Sequence, residues 1–416
     1  MSRDYLKKAI TVFVLGCSLL VAKEPNISDD ELIIRGIFYE QYGMYNYAQA
    51  IYDELYSREP IDAYMFKKAK ASMLSGNGVS QSISELEQWE SKHSKELTAK
   101  RLLVPLYLLD ANMPKAKAKA KELLALSNKP KDLELASNPY LFAGDYQKAL
   151  ELLNDAYRQS NDESTLLQIV NILQNYTKEY QKSIQLLEMH RRIKATIGKD
   201  IYIKLIELYV ATSNVDGILQ TYKDLYEIEQ NPQYLAKIVN AYVYKGDYKG
   251  AIEYFEKNKS DDNILFDLYQ HQKMYDKAFE FTSKMYQKSK DPQWLAKKAI
   301  VIYERASNKK DTEIIDEVIK YFDMAIKGGI KDGSYYNYYG YTLIDNDRDI
   351  QKGIKMVEQA LKTDPTNSFY IDSLAWGYHK VHQCKKAYNL MEQIPKNEIE
   401  ETIELKEHFE AIKKCK

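Results

Sequence analysis

Side chains that could do chemistry lie closest together in the segment HKVHQC. This segment contains His379, His382 and Cys384, and imidazole nitrogens and cysteine sulfurs are ordinary zinc ligands in proteins. His408 or Cys415 would be needed to complete a four-ligand set. The paired ligand spacing that is typical of zinc sites is missing. We therefore predict no metal site.

The sequence contains none of the short motifs that indicate common active sites. We find no GxxxxGK[ST] phosphate loop, no GxGxxG dinucleotide fingerprint, no HExxH and no GxSxG. The six histidines are scattered along the chain. We predict a non-enzymatic protein that uses no cofactor.

The composition is typical of a soluble, folded protein. Charged residues make up 29% of the 416 residues and apolar residues 45%, and the formal net charge is −1. A nucleic-acid binder normally has a clear basic excess, because it neutralises phosphates. This balance therefore excludes nucleic acid from the expected partners.

The first residues are organised like a secretory signal. Arg3, Lys7 and Lys8 precede an uncharged, mostly apolar stretch from Ala9 to Ala22. The stretch is shorter than the roughly 20 residues that a membrane-spanning helix needs, but it suits the apolar core of a signal. We expect residues 1–22 to be a signal or lipoprotein signal segment and the rest of the chain to be exported.

The segment VLGC, which ends at Cys17, resembles a bacterial lipobox. The resemblance implies that Cys17 receives lipid, although Leu15 and the apolar SLLVA after the cysteine depart from the usual pattern. One alternative is plain cleavage after Ala22, and another is an uncleaved N-terminal anchor. We favour lipid attachment at Cys17, with membrane contact only through this N-terminal end.

A repeat of nearly constant length runs through the chain. The segments GDYQKALELL and GDYKGAIEYF begin at Gly144 and Gly246, 102 residues apart, which is three times 34. Eleven positions recur mostly at intervals of 33 to 35, and nine of them are Ala, Ser or Gly, as close helix–helix crossings require. The eleven positions are Ala48, Ser82, Ala116, Ala149, Ser183, Ile218, Ala251, Ala278, Val318, Gly353 and Ala387.

Two intervals depart from this period. The interval from Ala251 to Ala278 is shorter than the others, and the interval from Ala278 to Val318 is longer. We explain the first by a shortened second helix in EYFEKNKSDD and the second by an insertion in ASNKKDTEIIDE.

The repeat resembles the tetratricopeptide repeat, in which two antiparallel helices recur with a period of about 34 residues. In the first repeat, Gly36, Tyr39, Ala48, Tyr52 and Pro60 occupy the signature offsets of that family. The resemblance implies an all-α fold, a right-handed α-α superhelix of about eleven helix pairs over residues 28–395. Residues 396–416 would form a C-terminal capping helix, because a solenoid needs a cap at its open end. A detached, partner-binding helix is the alternative.

The segment Ser334–Lys380 resembles the last repeats of exported repeat proteins from Gram-negative bacteria, through GYTLID and DSLAWGY. Many such proteins are periplasmic or outer-membrane lipoproteins, and some are scaffolds or assembly factors. The middle repeats depart from the signature at Ser183, Ile218 and Val318.

In this family, partners usually bind the concave face that the first helices form. The resemblance therefore implies a groove for protein partners, whether peptide, helix or folded face. Tyr341 and Trp376 could instead pack between adjacent repeats. The implied groove residues are Asn138, Asn240, Asp267, Tyr341, Ile344, Phe369, Trp376 and His379.

The repeat register also predicts that two cysteines lie close together. It places Cys384 at the turn before the last second helix, and a cap running back toward this turn would return Cys415 to it. Since an exported protein meets an oxidising environment, we predict a disulfide between Cys384 and Cys415. Two unpaired cysteines are the alternative.

Together these features predict a protein-binding scaffold, assembly factor or chaperone in the bacterial cell envelope. Clients could include a flagellar motor or stator, or an outer-membrane complex. The alternatives are a glycan-binding or regulatory subunit of a cell-wall enzyme system, and a cytoplasmic adaptor if the N-terminus is not a signal.

Overall fold

The structure is a computed structural model that describes residues 27–415, and these residues form 24 helices and no strand. The predicted signal segment, including Cys17, lies outside the described residues. No helix in the described part of the chain combines the length and apolar character that crossing a membrane requires. The predicted all-α fold is confirmed.

The chain divides into two compact units, one ending at Thr221 and one beginning at Tyr222. The first unit contains α1 Asp29–Gln41, α2 Tyr45–Arg58, α3 Asp62–Ser75, α4 Val79–Lys92, α5 Leu97–Leu109, α6 Met113–Leu126, α7 Pro130–Phe142, α8 Tyr146–Ser160, α9 Glu163–Asn175, α10 Tyr180–Ile193 and α11 Lys199–Ala211. The boundary falls within α12 Val215–Glu229. The second unit contains α13 Pro232–Lys245, α14 Tyr248–Asn258, α15 Asp262–His271, α16 Tyr275–Ser289, α17 Gln293–Arg305, α18 Thr312–Lys327, α19 Gly333–Asp345, α20 Ile350–Thr363, α21 Ser368–Lys380, α22 Cys384–Met391, α23 Lys396–Glu401 and α24 Ile403–Lys413.

Helices α1 to α22 form eleven hairpins, each with an odd-numbered first helix and an even-numbered second helix. The GDY segments show why the chain turns between them. Gly144 and Gly246 have φ angles of 74° and 67°, a left-handed conformation that glycine adopts without a Cβ clash. The next residue caps the second helix, since the Asp145 carboxylate accepts from the Lys148 amide at 3.1 Å.

The eleven small-residue positions, which we call crossing residues, all lie in second helices, and ten of them are buried. A Cβ added at Gly353 would lie only 2.7 Å from the Gly340 carbonyl oxygen, so these two helices touch backbone to backbone. Ile218 is the exception, because it is half-exposed. In its hairpin Gly217 makes the close approach, since a Cβ there would lie 2.5 Å from the Tyr209 ring.

The two irregular intervals have the predicted causes. Helix α14 has 11 residues, against 14 or 15 in most other second helices. The connection between α17 and α18 covers residues 306–311, whereas three residues join α1 to α2. A short helix and a long connection therefore offset each other along the repeat.

A recurring tyrosine joins each of several first helices to the preceding hairpin. The Tyr107 ring is 3% exposed, and its hydroxyl donates to Glu87 of α4 at 2.5 Å. The Lys115 ammonium pairs with the same carboxylate at 2.7 Å. Tyr269 likewise donates to Glu256 at 2.7 Å. Burying the ring while the hydroxyl reaches a carboxylate satisfies both parts of the side chain.

The C-terminal segment is docked on the last hairpin rather than detached. It forms two helices, α23 and α24, because the backbone is extended at Thr402 (φ −107°, ψ 114°). Leu405 and Ile412 of α24 are 1% exposed and share a hydrophobic cluster with Ala375 of α21 and Met391 of α22. This segment therefore covers the open end of the helix array, as a cap should.

Candidate partner-binding site

Three of the predicted groove residues lie on the surfaces of first helices. Asn138 of α7 is half-buried, and Asn240 of α13 and Asp267 of α15 are exposed. Each lies eleven residues before the crossing residue of its hairpin, so they occupy equivalent positions. Phe369, at the start of α21, is 57% exposed.

The prediction for Ile344 is wrong. Ile344 is fully buried, and its side chain lies where a Cβ on Gly353 or Gly377 would contact it, at 2.7 and 3.0 Å. On a helix, successive side chains are about 100° apart. Ile344 lies nine residues before Gly353, the offset at which the buried Tyr107 precedes its own crossing residue. It therefore occupies the core position of the recurring tyrosine and not a surface position.

The last helix, α24, lies against three other predicted groove residues. Trp376 and His379 stack with ring centroids 4.9 Å apart, and Trp376 also stacks on His408 of α24 at 4.1 Å. The Tyr341 hydroxyl donates to the Glu404 carboxylate of α24. Trp376 also packs against the hydrophobic cluster that includes Ile344, which agrees with the alternative of packing between hairpins. The chain itself thus covers much of this aromatic set.

A buried ion pair lies at the centre of this cluster. His408 Nδ1 and Asp372 Oδ2 are 2.9 Å apart, and the two residues are 7% and 4% exposed. Burial alone lowers the pKa of His408, but its hydrogen bond to Asp372 and the nearby charges of Asp372, Glu404 and Asp345 outweigh burial, and the pKa is raised. Burial also raises the pKa of Asp372.

Three buried polar atoms of the cluster have no hydrogen-bond partner among the described residues: Asp372 Oδ1, Trp376 Nε1 and His379 Nδ1. Burial lowers the pKa of His379, and the neighbouring His382 lowers it further. A carboxylate oxygen, an indole N–H and an imidazole nitrogen are therefore available at one place. Asp372 was not among the predicted groove residues, although it lies one helical turn before Trp376 on the same face of α21.

Cys384 and Cys415 form a disulfide, with Cα atoms 5.5 Å apart. The bond joins the beginning of α22 to the chain just after α24. Because its sulfur is in this bond, Cys384 is not available as a zinc ligand in the segment HKVHQC. In residues 27–415, no group of three or more His, Cys, Asp or Glu side chains is arranged to hold a metal ion.

A buried lysine joins the first helix of the ninth hairpin to the first helix of the eighth hairpin. Lys297 of α17 is 6% exposed, and its ammonium donates to the Asn263 side chain of α15 at 2.8 Å. The ammonium lies 4.5 Å from the Phe266 ring centre and 4.9 Å from that of Trp294. Burial lowers its pKa. The lysine and the asparagine come from two hairpins, so inspecting one repeat at a time could not pair them.

A stripe of exposed apolar side chains follows the C-terminal ends of five consecutive first helices in the first unit. Each member lies seven or eight residues before the crossing residue of its hairpin. This is about one helical turn after the position of Asn138, on the same face. We call these residues the apolar stripe: Leu74 (45% exposed), Leu109 (52%), Phe142 (71%), Tyr176 (55%) and Val210 (61%).

The apolar stripe was not predicted from the sequence, because apolar residues at helical spacing were expected in the core. The signal that could have found it is a second apolar position in fixed register with the crossing residues. Single apolar residues scattered over a surface are normal. An exposed apolar residue that recurs at one position of successive hairpins is different and needs an explanation.

Comparisons with known proteins give likenesses to solved structures. No protein-family model matches the chain, and no curated protein matches it. A chain of the APC/C hetero-tetramer Cut9–Hcn1 is 9% identical, covering 98% of this chain and 99% of that chain, with a TM-score of 0.38. The Naa15/Naa10 complex bound to HypK-THB is 13% identical, covering 89% and 68%, with a TM-score of 0.29. The TPR2AB domain of yeast Sti1 in complex with pHSP90 is 16% identical, covering 68% and 98%, with a TM-score of 0.26.

Proposed function

We propose that this chain is a non-enzymatic scaffold, assembly factor or chaperone that binds partner proteins along its first helices. The apolar stripe is the observation that carries this proposal. Exposed apolar side chains at one position of five consecutive hairpins present regularly spaced contacts. Contiguous apolar surface bordered by polar groups is characteristic of protein–protein interaction sites.

The chemistry of the stripe suits a segment of another protein that presents apolar side chains at intervals. Phe142 and Tyr176 offer large rings, and aromatic residues often carry most of the binding energy of an interface. Asn138 lies one turn before Phe142 on α7 and offers an amide beside the ring. An apolar centre with polar side chains beside it is the usual arrangement of such interfaces.

We place this scaffold in the bacterial cell envelope, exported and anchored by lipid at Cys17. The support is the signal-like composition of residues 1–22 and the resemblance of the last repeats to exported proteins. The test is a Cys17→Ala variant compared with the parent chain by membrane fractionation and mass. A processed, membrane-bound parent that loses its anchor on substitution supports export and lipidation. An unprocessed parent in the cytoplasm would favour the adaptor alternative.

Site-specific photo-crosslinking in cells tests the binding surface. A crosslinking residue placed at Phe142 or Tyr176 should capture one recurrent partner. The same residue at Gln159, an exposed position on the second helix α8, should not capture it. Val210→Ser should lower the yield at Phe142, because it shortens the same apolar surface.

Equal capture at Gln159 would refute a specific role for the stripe. Failure to capture any protein, together with retention of the chain on polysaccharide, would favour the glycan-binding alternative.

A further inference from the structure

We infer that the surface formed by Tyr341, Asp372, Trp376 and His379 binds an amphipathic helix that carries a cationic side chain, and that α24 is its built-in occupant. We call these four residues the C-terminal surface. This inference rests on the proposed function, because it supposes that the chain binds protein partners. It adds a second binding surface and the chemistry of its ligand.

Helix α24 makes two sets of contacts with the rest of the protein. Leu405 and Ile412 enter the hydrophobic cluster of the last hairpin, which is the role of a cap. Glu404 and His408 face the C-terminal surface instead and reach Tyr341, a residue of the preceding hairpin. A cap needs only the first set of contacts. The second is a contact between a helix and the first helices of two consecutive hairpins, which is how a bound helix would sit.

The C-terminal surface favours a cation. Asp372 is 4% exposed, and a buried carboxylate is costly unless it has a charge or hydrogen-bond partner. One of its oxygens contacts His408 and the other has no partner among the described residues. The Trp376 ring stacks on the His408 imidazole, and an aromatic face attracts a cation. The Asp372 carboxylate and the Trp376 ring thus contact the same group, the His408 imidazole.

The spacing in α24 defines the expected ligand. His408 lies three residues after Leu405 and four residues before Ile412 in the sequence. Residues three and four apart lie on one side of a helix. A partner helix with an Arg, Lys or His between two apolar residues at these spacings would present the same groups.

An external helix has to compete with α24, which is tethered at both ends. Its N-terminal end continues from α23, and its C-terminal end is held by the Cys384–Cys415 disulfide. A tethered ligand has an effective concentration of about a millimolar or more. The chain with its disulfide intact should therefore bind an external helix weakly.

The test uses full-length chains and a fluorescently labelled synthetic peptide of residues 396–414. In one variant, Leu405→Asp with Ile412→Asp removes the apolar side of α24 and leaves the C-terminal surface unchanged. Anisotropy titration should show at least about tenfold tighter peptide binding to this variant than to the parent. The peptide with His408→Arg should bind as well as the native peptide, and the peptide with His408→Gln should bind about tenfold more weakly.

A double-mutant cycle identifies the contact. Adding Asp372→Asn to the undocked chain should remove the difference between the His408→Arg and His408→Gln peptides. Gln159→Ala, at an exposed position on α8 outside both binding surfaces, should leave peptide binding unchanged. No binding to an undocked chain that retains its helical circular dichroism overturns the inference, and so does a peptide difference that survives Asp372→Asn.

If the undocked variant fails to fold, hydrogen exchange on a Cys384→Ser/Cys415→Ser chain supplies the second measurement. Excess peptide should accelerate exchange in residues 403–413 by displacing them. No acceleration at saturating peptide also overturns the inference. Crosslinking at Phe142 is independent of these outcomes, so loss of the C-terminal surface as a site would leave the proposed function standing.

Discussion

Removing the Cys384–Cys415 disulfide should loosen α24. The two cysteines are 31 residues apart in sequence. In the chain-entropy account, a disulfide that closes a loop of this length lowers the conformational entropy of the open state and so raises its free energy by about 3–4 kcal/mol. Since about 1.4 kcal/mol corresponds to a factor of ten, Cys384→Ser with Cys415→Ser should raise the open population of α24 by on the order of 10²- to 10³-fold. The rest of the second unit should keep its protection, because its core does not depend on the bond.

Hydrogen exchange with mass spectrometry, resolved over residues 403–413, measures this opening directly. The matched control is Lys414→Ser, an exposed neighbour of Cys415, which should leave exchange unchanged. Adding a dithiol reductant to the parent chain should reproduce the double substitution. Exchange in α24 that changes less than about twofold would refute the entropic argument. Two free thiols in protein purified without reductant would refute the disulfide itself.

Three further predictions concern packing, hydrogen bonding and protonation. Gly353→Ala should lower the free energy of unfolding of the second unit by about 1–3 kcal/mol in urea titrations, because its Cβ would meet the Gly340 carbonyl; an unchanged midpoint would contradict the backbone contact. Tyr107→Phe should cost about 1–2 kcal/mol by removing a hydrogen bond to a carboxylate, and thermal unfolding without a shift would contradict this. The pKa values of His408 and Asp372 are both raised, so the folded state holds these protons more tightly and stability falls as pH rises. Exchange of α24, corrected for intrinsic rates, should therefore be faster at pH 8 than at pH 6, and the reverse order would refute the sign.

Sequence periodicity was sufficient to predict the hairpins. The spacing of Ala149 and Ala251 set the register, and it also located the short helix and the long connection between Ala251 and Val318. These features are local, because a crossing residue, a turn glycine and a helix cap each act within one hairpin. Periodicity also brought Cys384 and Cys415 into relation, because both their distances from the last turn could be counted along helices.

Contacts between elements were not predictable in the same way. Asn240 lies eleven residues before its crossing residue and is exposed, whereas Ile344 lies nine residues before Gly353 and is in the core. An error of one residue rotates a helical side chain by about 100°. The two offsets differ by two residues, so these side chains point to nearly opposite sides of their helices, and Ile344 lies on the buried side.

The amino-acid sequence by itself determined that this protein is an array of helix hairpins with a cap, because that outcome depends on spacing along the chain. Only the tertiary structure determined which polar groups meet. Lys297 with Asn263, and His408 with Asp372, are 34 and 36 residues apart, on different helices, and nothing in either local segment specifies the partner. The physical reason is that burial and charge are properties of a packed environment, and packing brings together side chains whose sequence neighbourhoods are unrelated.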